Sequence, residues 1–503
     1  MTEQVDSYRR ILKSSSIIGG ASVINILIGL VRTKIVAVLL GPTGIGLVSL
    51  YTSLMSTASA VATMGVGTIG TRQIAEALAK EDERALAVVR RAMFLGTLLL
   101  ASAGGLVVWA LREVLAVKVL GSVEHSTVVG WLALGIVLSV AGASQAAMIQ
   151  GMRRIGDMAR LSVYGSALNT SLGLGLLWQW GKVGLVAFVL IGPLISFLLG
   201  HWYLSRLPKL RSNPIALREM AHQWKTLLRL GVPFMGAGAM SLLVQLWIRV
   251  EVGNTLGAES LGHFQAAWAI SMQYIGFVLG AMAADYFPRL TGVIHDHKAA
   301  TRLVNEQTEI ALLLSAPVFI AIVGLTPWVI QLLYTDAFLP AVEVLRWQIL
   351  GDVLKVASWP LGFVLVAAGA GKTFFVTETI AVLILGGLIA GFTSSVGIKI
   401  TGIAFFVSYA VLLPLLFWLA RRRIGFVWTG SVVKLISVIF VVCAGVAIIC
   451  TLYWWGAFVA VVLALAFGVY TLGRLANISN VAGRVGKINF LTQKWSKLIG
   501  IKK

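Results

Sequence analysis

Leu40-Gly41-Pro42-Thr43-Gly44-Ile45-Gly46 and Leu256-Gly257-Ala258-Glu259-Ser260-Leu261-Gly262 are two versions of one phrase, 216 positions apart. Each follows a long apolar segment that carries an arginine near its end, Arg32 in the first and Arg249 in the second. A cation inside an apolar segment is costly in hydrocarbon, so it usually faces a polar cavity and serves a function. Matching segments at matching positions divide the chain into two related halves.

Composition agrees with a membrane setting. The 503 residues are 58% hydrophobic and 12% charged, whereas a soluble chain carries about 25% charged residues. Apolar runs of about 20 residues, the thickness of a bilayer core, recur throughout. No ten-residue alternation of apolar and polar residues marks an outer-membrane barrel. The expected fold is an all-α polytopic membrane protein of about fourteen transmembrane helices, at 14–39, 43–69, 90–111, 127–149, 159–179, 183–204, 227–250, 260–287, 306–326, 346–369, 374–395, 400–420, 432–451 and 453–473. The first apolar segment is too long for a signal core and lacks a small-residue cleavage site, so it is expected to be the first span. Cys443 and Cys450 lie seven apart in one helix, too far for a disulfide.

The net charge of +21 sits in short connections, which argues against nucleic acid. With the N-terminus in the cytoplasm, cytoplasmic segments hold 32 of the 41 lysines and arginines, so both termini are expected inside. Arg112, Lys118, Lys182 and Lys399 fall in short outer connections, where a solvated or headgroup-level cation is ordinary, and Arg346 at an outer helix end. Arg32, Lys34, Arg249 and Lys355 remain within or near the outer halves of spans.

The repeat extends beyond the opening phrase. Thr71-Arg72-Gln73 matches Pro288-Arg289-Leu290, and Gly184-Leu185-Val186-Ala187-Phe188 matches Gly402-Ile403-Ala404-Phe405-Phe406. Six spans separate the copies, so the repeat is parallel, about the membrane normal. The expected organisation is an N-lobe at 1–205, a cytoplasmic linker at 206–226 with Pro208 and Pro214 as breakers, a C-lobe at 227–423, two additional helices at 424–475 and a basic cytoplasmic tail at 476–503. The tail reads as a membrane-surface amphipathic helix or as a solvated segment drawn to anionic lipid. Two pseudo-symmetric six-helix lobes with cations in matching spans indicate a transporter whose substrate site lies between them.

Arg32 and Lys34 are two apart on a helix and point about 200° away from each other, so one faces a cavity while the other reaches toward headgroups. Arg249 is the corresponding cation of the seventh span. These arginines either contact an anionic group or snorkel to the interface. Asp352 and Lys355, three apart, share a helical face. They form either an intramembrane ion pair or a functional set in which Lys355 attracts an anion and Asp352 exchanges a proton or sodium ion. Asp285 and Glu378, near cytoplasmic helix ends, are further coupling candidates. Pro233, Pro317, Pro360 and Pro414 permit kinks, and Trp268, Trp347 and Trp359 either stack on sugars or anchor at interfaces. Gly369-Ala370-Gly371-Lys372-Thr373 is not a phosphate loop, because Val366 stands where the first glycine is needed. No catalytic or metal-ligating set emerges, and no cofactor is expected apart from the coupling ion.

The Arg/Lys-bearing first span followed by Leu40 to Gly46 resembles the Wzx-type flippases of bacterial polysaccharide repeat units, the O-antigen and enterobacterial-common-antigen translocases of the multidrug/oligosaccharidyl-lipid/polysaccharide exporter superfamily. The most specific match is Trp347-Gln348-Ile349-Leu350-Gly351-Asp352-Val353-Leu354-Lys355-Val356, supported by Gly262-His263-Phe264-Gln265 and Asp285-Tyr286-Phe287-Pro288-Arg289-Leu290. The resemblance covers roughly residues 10–423 and omits the last two spans. It implies a MATE/MurJ-like fold in the bacterial inner membrane and a transporter rather than an enzyme. The implied activity moves undecaprenyl-pyrophosphate-linked oligosaccharide from the cytoplasmic to the periplasmic leaflet. Alternatives within the superfamily are a peptidoglycan lipid-precursor flippase and a drug/cation antiporter. Implied partners are that lipid-linked substrate, membrane lipids, a polysaccharide polymerase and a chain-length regulator. A polymerase or ligase needs a large outer loop with catalytic side chains, and the connection at 327–345 offers only Asp336 and Glu343 as acids and no histidine.

Overall fold

Both opening phrases break helices at their first glycine. Gly41 adopts φ 64°, ψ −171° and Gly257 φ 86°, ψ 167°, a region essentially closed to residues with a β-carbon. Helix α1, Thr2–Thr63, is therefore two limbs meeting at Gly41, and α8, Leu217–Val293, two limbs meeting at Gly257. Pro42 opens the second limb of α1, where its missing N–H has no helical partner to lose.

The computed structural model describes residues 2–207 and 217–481. The remaining helices are α2 (Val66–Ala79), α3 (Glu83–Ala110), α4 (Arg112–Leu120), α5 (Ser126–Gly151), α6 (Ile155–Trp180), α7 (Leu185–Ser205), α9 (His297–Leu333), α10 (Ala341–Ala367), α11 (Gly371–Val396), α12 (Lys399–Ile424), α13 (Gly430–Leu452) and α14 (Gly456–Val481). No strand occurs among the described residues. Among the described residues, ten helical runs are long and apolar enough to cross a membrane, eleven with the bent pair Gly238–Gly280 and Asp285–Val293 taken as one. Three of these runs hold two passes each, divided at Gly41, at the tight turn Gly181–Gly184 and at Gly257, so all fourteen expected spans have a helix.

Boundaries differ in places. The second span ends at Thr63 rather than 69, because Met64 (φ 46°) and Gly65 (φ 70°) take left-handed conformations. The chain then re-enters a helix as α2, and α2 and α4 are two short helices in segments expected to be connections. Residues 217–226 of the linker are helical and continuous with the seventh span. Pro317 of α9, Pro360 of α10 and Pro414 of α12 lie within continuous helices. The linker's Pro208 and Pro214, the side chain of Pro233 and the tail beyond 481 lie outside the described residues.

Packing groups the chain into two units, one of Met1–Gly262 with Leu333–Ala337 and the other of His263–Leu332 with Phe338–Lys503. The repeat assigns 227–262 to the second lobe, whereas contacts place this limb of α8 with the first six spans. A repeat records ancestry, and packing records which surfaces are buried together.

In the first unit, Ile74, Met93 and Leu227 join α2, α3 and α8 in one apolar core. Trp224 donates its indole N–H to the Ala92 carbonyl at 2.8 Å. In the second unit, α10 and α12 approach closely through glycines. A β-carbon on Gly351 would lie 2.6 Å from Phe405, and one on Gly402 would lie 2.6 Å from the Val344 carbonyl oxygen. Small residues at such crossings let helices make dense contact in lipid, where no hydrophobic force drives them together. The last two helices belong to this unit. Phe440 of α13 stacks on Phe406, and α14 ties to α9 through Arg474–Glu309 at 2.9 Å and a Thr471 hydroxyl bond to the Leu313 carbonyl at 3.0 Å.

Candidate functional site

Beyond their bends, the two glycine phrases meet. A β-carbon on Gly46 would lie 2.0 Å from the Ala258 carbonyl oxygen, and one on Gly262 would lie 1.9 Å from the Pro42 carbonyl oxygen. The seventh residue of each phrase thus packs on the third residue of the other, a reciprocal contact with the symmetry of the repeat. Both phrases belong to the first unit.

The cations that precede these turns have separate surroundings. Arg32 is half-buried, its guanidinium carbon 4.7 Å from the Phe188 ring centroid, a cation–π placement that supports charge while shedding water. Lys34 hydrogen-bonds the backbone carbonyl of Tyr334. The two side chains thus take different partners, as their angular separation on the helix requires. Arg249 is buried, and its Nη1 donates at 2.9 Å to the Gln245 carbonyl one turn earlier. Arg32, Lys34 and Arg249 all belong to the first unit.

A second polar set lies in the second unit, on α10. Gln348, Asp352 and Lys355 follow the i, i+4, i+7 spacing that makes one helical stripe. Gln348 and Asp352 are fully buried. Asp352 Oδ2 accepts a hydrogen bond from the Ser271 hydroxyl at 2.6 Å, whereas Asp352 Oδ1 and both amide atoms of Gln348 have no partner. Buried polar atoms are nearly always satisfied in folded proteins, and unpartnered ones on adjacent turns point to water or an ion.

Lys355 does not close an ion pair with Asp352. Its Nζ lies 3.4 Å from Met272 Sδ and 5.6 Å from the ring centroids of both Phe405 and Tyr409. Asp352 and Glu378 both act on it electrostatically. The structure therefore brings Asp352, Lys355 and Glu378 into one neighbourhood, with Ser271, Gln348 and Tyr409 around them. Asp285 stands apart, in an exposed pair with Arg289 at 3.0 Å. Arg346 is buried in the second turn of α10.

The three tryptophans pack internally. Trp268 meets Phe264 and Phe405, Trp347 meets Phe406, and Trp359 meets Phe363 and Tyr286. Gln348, Ser271 and Tyr409 are site residues the sequence reading did not single out. The stripe spacing from Gln348 to Lys355 was the available signal for the first, whereas Ser271 and Tyr409 come from other helices. No group of three or more metal-ligating side chains occurs among the described residues.

A family model described as polysaccharide biosynthesis protein matches residues 35–343. The lipid III flippase of Escherichia coli (strain K12) is 22% identical over 375 residues, 73% of this chain and 87% of the relative. Among solved structures, an inward-facing multidrug resistance MATE family transporter of the MOP superfamily superposes with TM-score 0.67 at 18% identity, covering 82% of this chain and 96% of that one. The lipid II flippase MurJ, in an inward closed conformation, superposes with TM-score 0.66 at 15% identity, covering 91% and 99%. The architecture is that of these transporters.

Proposed function

The chain belongs to the polysaccharide biosynthesis protein family, and from that premise we propose that it is a flippase for undecaprenyl-pyrophosphate-linked oligosaccharide repeat units. It works in the bacterial inner membrane by alternating access of two lobes, N-lobe 1–205 and C-lobe 227–423, with both termini cytoplasmic. The polyanionic pyrophosphate and the sugars cannot cross hydrocarbon unaided. Fixed cations along the route offset the lost hydration of the phosphates, while the polyprenyl tail stays in lipid.

The observation that carries this reading is the pair of arginines inside spans, Arg32 held against Phe188 and Arg249 buried in α8. Cations at these positions suit an anionic head, whereas an exporter of cationic drugs needs acidic groups there. The lipid III flippase relative, named for a lipid-linked substrate, supports the same class. Lys34 and Lys355 complete the proposed substrate-binding cations. Glycine turns that meet at Gly46 and Gly262 form a close-packed seam within the first unit.

Coupling is assigned to Asp352 and to Glu378, which shares Lys355 with it as an electrostatic partner, with Asp285 as a further carboxylate. The unpartnered Oδ1 of Asp352 next to the unpartnered Gln348 amide is a place for a proton or sodium ion. A polysaccharide polymerase and chain-length regulator are proposed partners downstream.

The test reconstitutes the protein in vesicles with labelled undecaprenyl-pyrophosphate oligosaccharide, with lipid II in a parallel arm. Gradient-dependent leaflet transfer of the oligosaccharide lipid is expected, exceeding that of lipid II. Transfer of neither substrate under proton or sodium gradients rejects the reading, and preference for lipid II reassigns the substrate.

A further inference from the structure

At the end of α3 a cavity of about 410 Å3 opens over Gly130, lined by Trp109, Arg112, Ser126, Thr127, Trp131 and Leu134. None of these residues belongs to the proposed transport route. One wall is cationic. The guanidinium carbon of Arg112 lies 4.6 Å from the Trp109 ring centroid, and the half-buried side chain forms no ion pair among the described residues. Stacking on a ring face leaves the edge of the guanidinium, with its forked N–H groups, available to two oxygens at once.

Beside this fork, α5 begins at Ser126 with no side-chain cap on its first turn. The Ser126 N–H donates to the Val123 carbonyl, while the hydroxyls of Ser126 and Thr127 line the cavity and add donors beside the guanidinium. The acids nearest in sequence, Glu113 and Glu124, do not line the cavity.

The lining also holds exposed apolar side chains, Trp131 and Leu134. Leu106 and Val107, one turn or less before Trp109 on α3, are exposed as well. Tryptophan beside arginine at the end of a span is the residue pairing of the membrane–water boundary. A free phosphate makes no use of that surface, whereas a lipid places its phosphate on the fork and an acyl chain along the helices. Gly130 keeps the space open, since a β-carbon there would lie 3.9 Å from both Arg112 Cδ and Trp109 Cδ1 and a longer side chain would fill the cavity.

We propose that this cavity binds the phosphate of an anionic glycerophospholipid, a site distinct from the transported substrate. The test is native mass spectrometry of the full chain in mild detergent with phosphatidylglycerol, with diacylglycerol as the phosphate-free probe and inorganic phosphate as competitor. The wild-type protein is expected to retain phosphatidylglycerol in preference to diacylglycerol. Arg112→Gln and Gly130→Leu are each expected to lower retention about tenfold, the loss of one well-placed charged contact. Arg84→Gln, at an exposed pair with Glu219, is expected to leave it unchanged. Equal retention by wild type and both cavity variants overturns the proposal, as does diacylglycerol held as firmly as phosphatidylglycerol. Displacement of the lipid by millimolar inorganic phosphate assigns the cavity to a soluble anion and overturns the lipid source.

Discussion

Asp352 is a carboxylate in the interior of a membrane-protein unit with one oxygen on Ser271 and the other on nothing. Removing the Ser271 hydroxyl leaves the acid without its described donor, a loss of about 1–3 kcal/mol. Ser271→Ala is therefore expected to lower the midpoint of thermal unfolding in detergent; an unchanged midpoint refutes a stabilising role for this hydrogen bond. Gln348→Leu separates structure from function. An unpartnered buried amide is a stability cost, so the leucine variant is expected to unfold at the same or a higher temperature. If that amide helps hold a coupling ion, gradient-driven transfer falls about tenfold or more in the same variant. Transfer at the full rate removes Gln348 from the proposed ion site. Asp352→Asn is expected to abolish the response of transfer to an imposed pH or sodium gradient; a full response excludes Asp352 as the carrier. The charges at Asp352 and Lys355 were legible in sequence, because charge inside a span is rare. Neutral Gln348 and Ser271 carry far less signal, and only packing shows that they lack or supply partners.

The helices meet through glycines whose roles differ. Gly41 and Gly257 supply a backbone conformation, whereas Gly46 and Gly262 supply room for a carbonyl oxygen about 2 Å from where a side chain would begin. Gly46→Val and Gly262→Val are expected to force the two turns apart. The predicted result is faster reaction of a cysteine placed at Thr43 with a membrane-impermeant maleimide, together with reduced transfer; unaltered labelling in both variants counts against a seam at these turns. Gly402→Val pushes a side chain into Val344 and Trp347, an overpacking cost of about 1–3 kcal/mol, measurable as a lowered unfolding midpoint. The repeated phrase was plain in sequence because the helix breaks recur at one offset. Its reciprocal contact was not, because an offset says nothing about which turns touch. The end of the second span was misplaced for a similar reason, since Met64 turns left-handed although methionine as a residue type favours helix.

At the scale of the whole chain, charge asymmetry between loops predicts an orientation that labelling can check. Cysteines in the turn at Arg153 and in the turn Gly181–Gly184 are expected to react from opposite sides of the membrane, the first from the cytoplasm; labelling from one side only breaks the span count. The sequence alone determined that the chain is helical, spans the membrane about fourteen times and repeats itself, because apolar length, loop charge and recurrent glycines act locally and need no partner. Tertiary structure alone decided which polar residues share a neighbourhood and which do not. It set Glu378 near Lys355, left Asp285 in an exposed pair, kept Lys355 from bonding Asp352 and placed the limb before Gly257 with the first six spans. Those outcomes depend on helix rotation and close approach, which are settled by surfaces distant in the chain packing together rather than by any segment's own composition.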